Sequence, residues 1–186
     1  FNDVTHGTAP GRFVSRLDRY GTETTATYSG SLVTEVLRSY TVDSVTTQES
    51  LLYSYYSGGE NDGRLEHVTL RRKVGAGDWT SIRRAAYSYY VDADEYGSTG
   101  DLRTATIQEP DGQSGWDDLK VSYYRYYESG DGDGFVHALK YVVLPESYRA
   151  MVNASITPET ADNGTIGEYA DHYFEYDQAT RRVTLE

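Results

Sequence analysis

Residues 87–90 read Tyr-Ser-Tyr-Tyr, and residues 124–127, 37 positions later, read Tyr-Arg-Tyr-Tyr. The same offset of 37 separates Trp79 from Trp116, which are the only two tryptophans in the chain. Landmarks that recur in one register indicate an internal repeat. The glycine-leucine pair of 63–65 also recurs at the same offset, in residues 100–102. The unit reads Gly-x-Leu, a strand, a glycine-containing turn, Trp, a second strand and a tyrosine cluster.

Weaker copies of this unit flank the two clear ones. Leu52-Tyr53-Ser54-Tyr55-Tyr56 is the tyrosine cluster of an earlier unit, and Gly134-Phe135-Val136 opens a later one that closes at residues 173–176. We therefore predict a single repeat-containing segment over 1–186. Its approximate units are 11–56, 63–90, 100–127 and 134–177. The residues expected to define the repeat are Gly63, Trp79, Tyr87, Tyr89, Gly100, Trp116, Tyr124, Tyr126, Tyr173, Tyr176 and Asp177.

The composition favours strands over helices. The 186 residues include 19 tyrosines and 18 glycines but one methionine. Aromatic and β-branched residues fit pleated sheets, and tyrosine buries a large ring while its hydroxyl finds a hydrogen bond. Turns such as Ser57–Gly63 and Ser129–Gly134 contain residues that accept positive φ. We expect an all-β fold of consecutive antiparallel β-hairpins in a curved strip, with one short helix over 145–152.

Charge and cysteine content exclude several classes of protein. The 29 acidic side chains exceed the 17 basic ones, which gives a formal charge of −12 and disfavours nucleic acid and anionic membranes as partners. With no cysteine, thiol catalysis, disulfides and Cys-based zinc sites are excluded. No apolar stretch approaches the roughly 18 residues of a membrane span.

The tyrosine-rich units resemble the YD repeat of the Rhs family. The stretch from Phe174 to Thr184 is similar to the motif Y-x-Y-D-x-x-G-R-L-x-x-x-T, although Thr180 stands where the family has Gly. Residues 11–36, with an Asp-x-x-Gly turn at Asp18–Gly21, are similar too. After Tyr56, Tyr90 and Tyr127 the motif's Asp is missing or displaced. The resemblance implies hairpins that add side by side into a β-strip, which complete family members close into a hollow shell.

Few side chains suggest chemistry. His6, His67, His137 and His172 lie far apart in sequence, and no Gly-x-Ser-x-Gly elbow is present. We predict no zinc site, no catalytic residue, no cofactor and no enzyme activity. The acidic turns at 92–95 and 131–133 could offer oxygens to calcium, but Arg103 stands where a calcium-binding loop needs Glu. Asn153 and Asn163 fit the N-glycosylation pattern.

The sequence predicts a structural repeat segment of an extracellular shell, surface protein or polymer. Its partners would be neighbouring repeats or copies of itself, joined by pairing of strand edges such as 181–186. Trp79 and Trp116 are expected to occupy equivalent positions on one face. The alternative is an adhesion or carbohydrate-binding module that contacts a glycan through Trp79 and Trp116, with tyrosines and acidic turns around them.

Overall fold

A computed structural model describes residues 3–6, 12–92 and 94–186, and for residues 3–6 it describes the backbone alone. The start of the first predicted unit, Gly11, lies outside these residues. The described residues form thirteen strands and two helices. The strands are β1 (Asp3–His6), β2 (Phe13–Leu17), β3 (Glu23–Ser29), β4 (Leu32–Val42), β5 (Val45–Tyr55), β6 (Leu65–Val74), β7 (Thr80–Tyr89), β8 (Leu102–Pro110), β9 (Trp116–Tyr126), β10 (Leu139–Val143), β11 (His172–Tyr173), β12 (Glu175–Tyr176) and β13 (Val183–Leu185).

Strands β1 to β11 form one sheet in which sequence order is also spatial order. Each strand from β2 to β10 therefore pairs with the strand before it and the strand after it, which is the antiparallel hairpin arrangement. Strands β12 and β13 form a separate two-stranded sheet. The predicted all-β fold of consecutive antiparallel hairpins is confirmed.

Local turn chemistry accounts for the tight hairpins. Between β4 and β5, Val42 pairs with Val45, and the two turn residues Asp43 and Ser44 both have positive φ, of 50° and 65°. Two consecutive residues with positive φ give the type I′ geometry that matches the twist of flanking strands. This turn sets the register of the β4–β5 pair.

The chain divides into two compact units. The first contains Phe1–Tyr55, Leu65–Ala85 and Glu109–Asp117, and the second contains Tyr56–Arg64, Ala86–Gln108 and Asp118–Glu186. Among the described residues of the first unit, the only buried side chains are polar, those of Thr47 and Ser50. Cross-strand pairing, and not a second layer, therefore stabilises this unit.

The second unit has an apolar core. Tyr123 on β9 and Val143 on β10 pack against Met151 and Ile166 from two helices, and all four are fully buried. Helix α1 (Pro145–Asn153) confirms the helix predicted over 145–152. Helix α2 (Asn163–Tyr169) was not predicted. Neither of the two described helices has the length or the apolar character that spanning a bilayer requires.

Candidate functional site

One hydrogen-bond pattern closes three long loops of the second unit. The last tyrosine of a cluster donates its N–H to the carbonyl of the residue that resumes the chain after the loop. The distances are 2.9 Å from Tyr56 to Arg64, 2.9 Å from Tyr90 to Asp101 and 2.8 Å from Tyr127 to Ala138. The residue before each acceptor has positive φ, and these residues are Gly63 (76°), Gly100 (87°) and His137 (70°). All three acceptors are spaced by 37, so the chain resumes after each loop with this period, whereas the donors Tyr56 and Tyr90 are 34 residues apart because the first loop is three residues shorter.

His137 is therefore the structural equivalent of Gly63 and Gly100. The sequence placed the opening of this unit at Gly134, three residues earlier. Gly134 instead corresponds to Gly97, because both lie flat against the ring of the tyrosine that closes their loop. A Cβ atom at either glycine would approach that ring closer than 3.0 Å. Strands β6, β8 and β10 begin at Leu65, Leu102 and Leu139, in the same period.

The closing tyrosines also bind the next cluster through their hydroxyl groups. Tyr56 donates to the carbonyl of Tyr87 at 2.8 Å, and Tyr90 donates to the carbonyl of Tyr124 at 2.7 Å. Tyr127 donates to the carbonyl of Phe174, also at 2.7 Å. In each case the acceptor lies three positions before the position that closes the next turn. The side chain of one hairpin thus holds the backbone of the following hairpin in register.

Each closing tyrosine also contacts a ring of the next cluster edge to face. Centroid separations are 6.1 Å for Tyr56 and Tyr89, 6.2 Å for Tyr90 and Tyr126, and 6.0 Å for Tyr127 and Tyr176. These distances and the near-perpendicular planes are those of favourable aromatic pairs. We call these six tyrosines, with their hydroxyl–carbonyl bonds, the tyrosine ladder. Tyr173, also expected in the repeat, stacks on Tyr141 at 5.0 Å.

Burial keeps the ladder hydroxyls of Tyr90, Tyr126 and Tyr127 protonated. Tyr90 and Tyr127 are each 1% exposed. Removal from water raises the pKa of Tyr90 and Tyr127 far above the ordinary value, with further contributions from neighbouring tyrosine hydroxyls. Burial raises the pKa of Tyr126 in the same way. The hydroxyls of Tyr90 and Tyr127 donate to carbonyls of the next cluster and stay protonated near neutral pH.

Aspartate replaces tyrosine at the equivalent position of two shorter turns. Asp18 donates its N–H to the carbonyl of Thr22 at 3.0 Å, and Asp177 donates to that of Arg182 at 2.9 Å. The Asp177 carboxylate accepts from the Thr180 N–H at 2.6 Å. Hydrogen bonds from backbone N–H groups, those of Thr22 and Thr180 first, lower the pKa of both carboxyls. An aspartate here caps its own turn and does not reach the next hairpin.

The two tryptophans each contact an arginine. Trp79 immediately precedes β7 and lies 4.3 Å from the Arg71 guanidinium, while Trp116 begins β9 and lies 4.5 Å from that of Arg84. Arg71 also donates to Glu35 at 2.9 Å. The same guanidinium therefore forms a cation–π contact with Trp79 and an ion pair with Glu35. A sugar stacking on the same indole face would have to displace the guanidinium. The expectation that both indoles share one face stays a prediction.

A buried arginine organises the helical part of the second unit. Arg125 on β9 is fully buried and donates to the Pro158 and Ala161 carbonyls at 2.8 and 2.5 Å. It also donates to the Asn163 side chain at 2.9 Å and lies 3.6 Å from the Tyr96 ring centroid. The segment between α1 and α2 is thereby fixed to the sheet. This role could not be predicted from the sequence, because an arginine between two tyrosines is expected to be an exposed strand residue.

The remaining candidate groups are engaged locally. Asp94 accepts from the Val91 N–H at 2.9 Å and pairs with Arg103, and Asp131 pairs with Lys140 at 3.2 Å. His137 lies 2.9 Å from Asp101. In the part of the chain that the structure describes, no group of three or more His, Asp and Glu side chains is placed to hold a metal ion. Of the two glycosylation motifs, Asn153 is exposed, whereas Asn163 is held by Arg125.

Comparison of the chain with models of protein families, with curated proteins and with solved structures found no match. The case for a function therefore depends on the geometry of the described residues. The tyrosine ladder is the feature that repeats through the second unit, so it is the candidate functional feature of the molecule.

Proposed function

We propose that the chain is a non-enzymatic structural repeat segment of an extracellular shell, surface protein or polymer, of the kind that YD repeats build. The tyrosine ladder carries this proposal. Its buried hydroxyls, at Tyr90 and Tyr127, are used to bind backbone of the next hairpin and not to meet a ligand. Side chains that join consecutive units are expected in a scaffold protein.

The ladder gives the repeat an energetic basis. A hydrogen bond contributes about 0.5–1.5 kcal/mol net, and an aromatic pair adds about 0.5–1.5 kcal/mol beyond the area it buries. Each connection of the ladder between consecutive hairpins, which we call a rung, combines one hydrogen bond and one aromatic pair. Since every rung joins one hairpin to the next, stability grows with neighbour contacts, as in other one-dimensional arrays.

Exposed strand edges supply the proposed route to assembly. Strand β13 pairs with β12 on one side, and its apolar residues Val183 and Leu185 are about half exposed. An edge strand offers N–H and C=O groups to an incoming strand. We propose that a neighbouring repeat or a second copy adds there by β-augmentation, which is a head-to-tail contact and not a two-fold one.

Assembly is tested by sedimentation velocity and electron microscopy over a range of protein concentration. The wild-type chain is expected to form end-to-end oligomers, and higher ionic strength is expected to lengthen them because it screens the repulsion between copies of charge −12. Thr184→Pro in β13 removes a strand donor and should shorten the oligomers, while the matched Thr184→Ala should not. A monomer at every concentration and salt would contradict the structural proposal.

The second candidate is carbohydrate binding at Trp79 and Trp116. The observation that favours it is that both indoles are only partly buried, at the start of alternate strands of one sheet. Titration with a panel of glycans, monitored by tryptophan fluorescence, distinguishes the two functions. Saturable binding that Trp79→Ala and Trp116→Ala each abolish, in a chain that does not assemble, would favour the glycan-binding module.

A further inference from the structure

Charge is distributed unevenly between the two units. The first unit has 11 acidic and 9 basic residues, a formal charge of −2. The second has 18 acidic and 8 basic residues, a formal charge of −10. The acidity of the chain is therefore concentrated in the second unit.

The β6–β7 hairpin of the first unit carries a cluster of cations. Five basic residues and a single acidic one, Asp78, fall within residues 71–84, on two neighbouring strands. We call these five residues the basic hairpin: Arg71, Arg72, Lys73, Arg83 and Arg84.

Two of these cations are held in the fold and three are not. Arg71 binds Glu35 and contacts Trp79, and Arg84 contacts Trp116. Among the described residues, Arg72, Lys73 and Arg83 have no ion-pair partner, and the two arginines are exposed. Cations left without a partner in a strongly acidic protein are available to a negatively charged surface.

The second unit presents such a surface on two loops. Asp92 and Glu95 are exposed on one loop, and Asp133 is exposed on the other. Asp92, Asp94 and Glu128 line a cleft of about 490 Å³. The side chains of Asp92, Glu95 and Asp133 make no hydrogen bond or ion pair with other described residues. At physiological salt the Debye length is about 8 Å, so repulsion between charges farther apart than this is largely screened, while complementary charges in contact still attract.

We propose that the basic hairpin docks on the acidic loops of a second copy of this chain. The partner is argued from charge complementarity: the same molecule carries unpartnered guanidinium groups in one unit and unpartnered carboxylates in the other. Because the two surfaces differ, the contact is head to tail. The inference rests on the proposed structural function, which it extends by naming a second contact separate from the β13 edge.

Charge reversal tests the contact in the full chain. Arg72→Glu/Arg83→Glu should weaken self-association about tenfold, since exposed pairs contribute modestly and several are lost together. Asp92→Lys/Glu95→Lys should weaken it similarly. An equal mixture of the two variants should associate as well as the wild type, because their surfaces again match. Circular dichroism checks that each variant keeps the wild-type strand content.

Two controls separate this contact from other effects. Arg16→Glu/Arg19→Glu changes the net charge by the same amount in the same unit, at exposed positions outside the hairpin, and should leave association near the wild-type level. Rising ionic strength should weaken docking of the basic hairpin, whereas it should strengthen assembly through the β13 edge. Loss on Thr184→Pro alone, with no response to charge reversal, would overturn the docking proposal and leave the structural function standing.

Two other results would also overturn the docking proposal. One is a mixture of the reversed variants that associates no better than either variant alone. The other concerns heparin, the probe for an anionic polysaccharide. If Arg72→Glu/Arg83→Glu abolishes binding to heparin but charge reversal leaves self-association at the wild-type level, the basic hairpin binds a polyanion and not a second copy. If the chain shows no self-association at all, including none that depends on Thr184 in β13, both the proposed structural function and this inference are contradicted.

Discussion

Removing one hydroxyl from the tyrosine ladder should cost measurable stability. Tyr90 is 1% exposed and donates to the Tyr124 carbonyl at 2.7 Å. Tyr90→Phe keeps the ring and its contact with Tyr126 but removes this bond and leaves a carbonyl with one partner fewer. The cost of a buried polar group that loses its partner is about 1–3 kcal/mol. We expect Tyr90→Phe to lower the free energy of unfolding by about 2 kcal/mol.

Urea denaturation followed by circular dichroism measures this change. Tyr20→Phe is the matched control, because Tyr20 is 75% exposed and its loss of a hydroxyl should stay within about 0.5 kcal/mol of the wild type. Tyr127→Phe, which removes the bond to Phe174, should resemble Tyr90→Phe. If Tyr90→Phe and Tyr20→Phe unfold at the same urea concentration, the ladder hydroxyls do not stabilise the fold and the reasoning is refuted.

Three further predictions concern strain and pH. His137→Ala should be about 1 kcal/mol less stable than His137→Gly. Both variants lose the contact with Asp101, but only alanine keeps a side chain at a position with positive φ. Equal midpoints of urea denaturation would contradict this. Burial raises the pKa of Tyr90, Tyr126 and Tyr127 above 10.0, so ionisation favours the unfolded chain. Stability should be full below pH 10.0 and fall as pH rises further, by about 1.4 kcal/mol per pH unit for each of these tyrosines; tyrosinate absorbance that rises before unfolding would argue against it. Burial opposes ionisation of Glu35, but the hydrogen bond from Ser50 and the hydrogen bond and charge of Arg71 outweigh this effect and lower the pKa of Glu35 below 4.5. The stability advantage of the wild type over Glu35→Gln should therefore be full above pH 4.5 and vanish as pH falls through the lowered pKa. A difference in urea midpoint that does not depend on pH would count against this.

The fold was readable from the sequence because its local signals agree. Tyrosine clusters, β-branched strands and glycine turns each favour hairpins, and Pro145 begins a helix at a position that suits proline. Helix α2 could not be predicted in this way, since its seven residues include two glycines. Its stability comes from tertiary context, with the Asp162 side chain accepting from the Thr165 N–H at 2.9 Å and Ile166 buried in the core.

The ladder was only partly readable. The repeating clusters identified Tyr89, Tyr126 and Tyr176, which receive ring contacts, but alternation along a strand does not reveal which tyrosine donates to the next hairpin. The donors occupy the position where the YD motif has Asp. The equivalence of His137 with Gly100 could have been predicted from their spacing of 37 residues. It was missed because histidine is not a residue type that indicates positive φ in the way glycine does. Arg125 could not, because burial of a guanidinium depends on carbonyls from a distant loop.

Electron microscopy of the protein isolated from its natural source tests the central claim most directly. The account predicts a shell or filament whose wall consists of strands in hairpin order, spaced by about 4.8 Å along the direction of the backbone hydrogen bonds. Free monomers, with a glycan bound at Trp79 or Trp116 and no extended assembly, would contradict it.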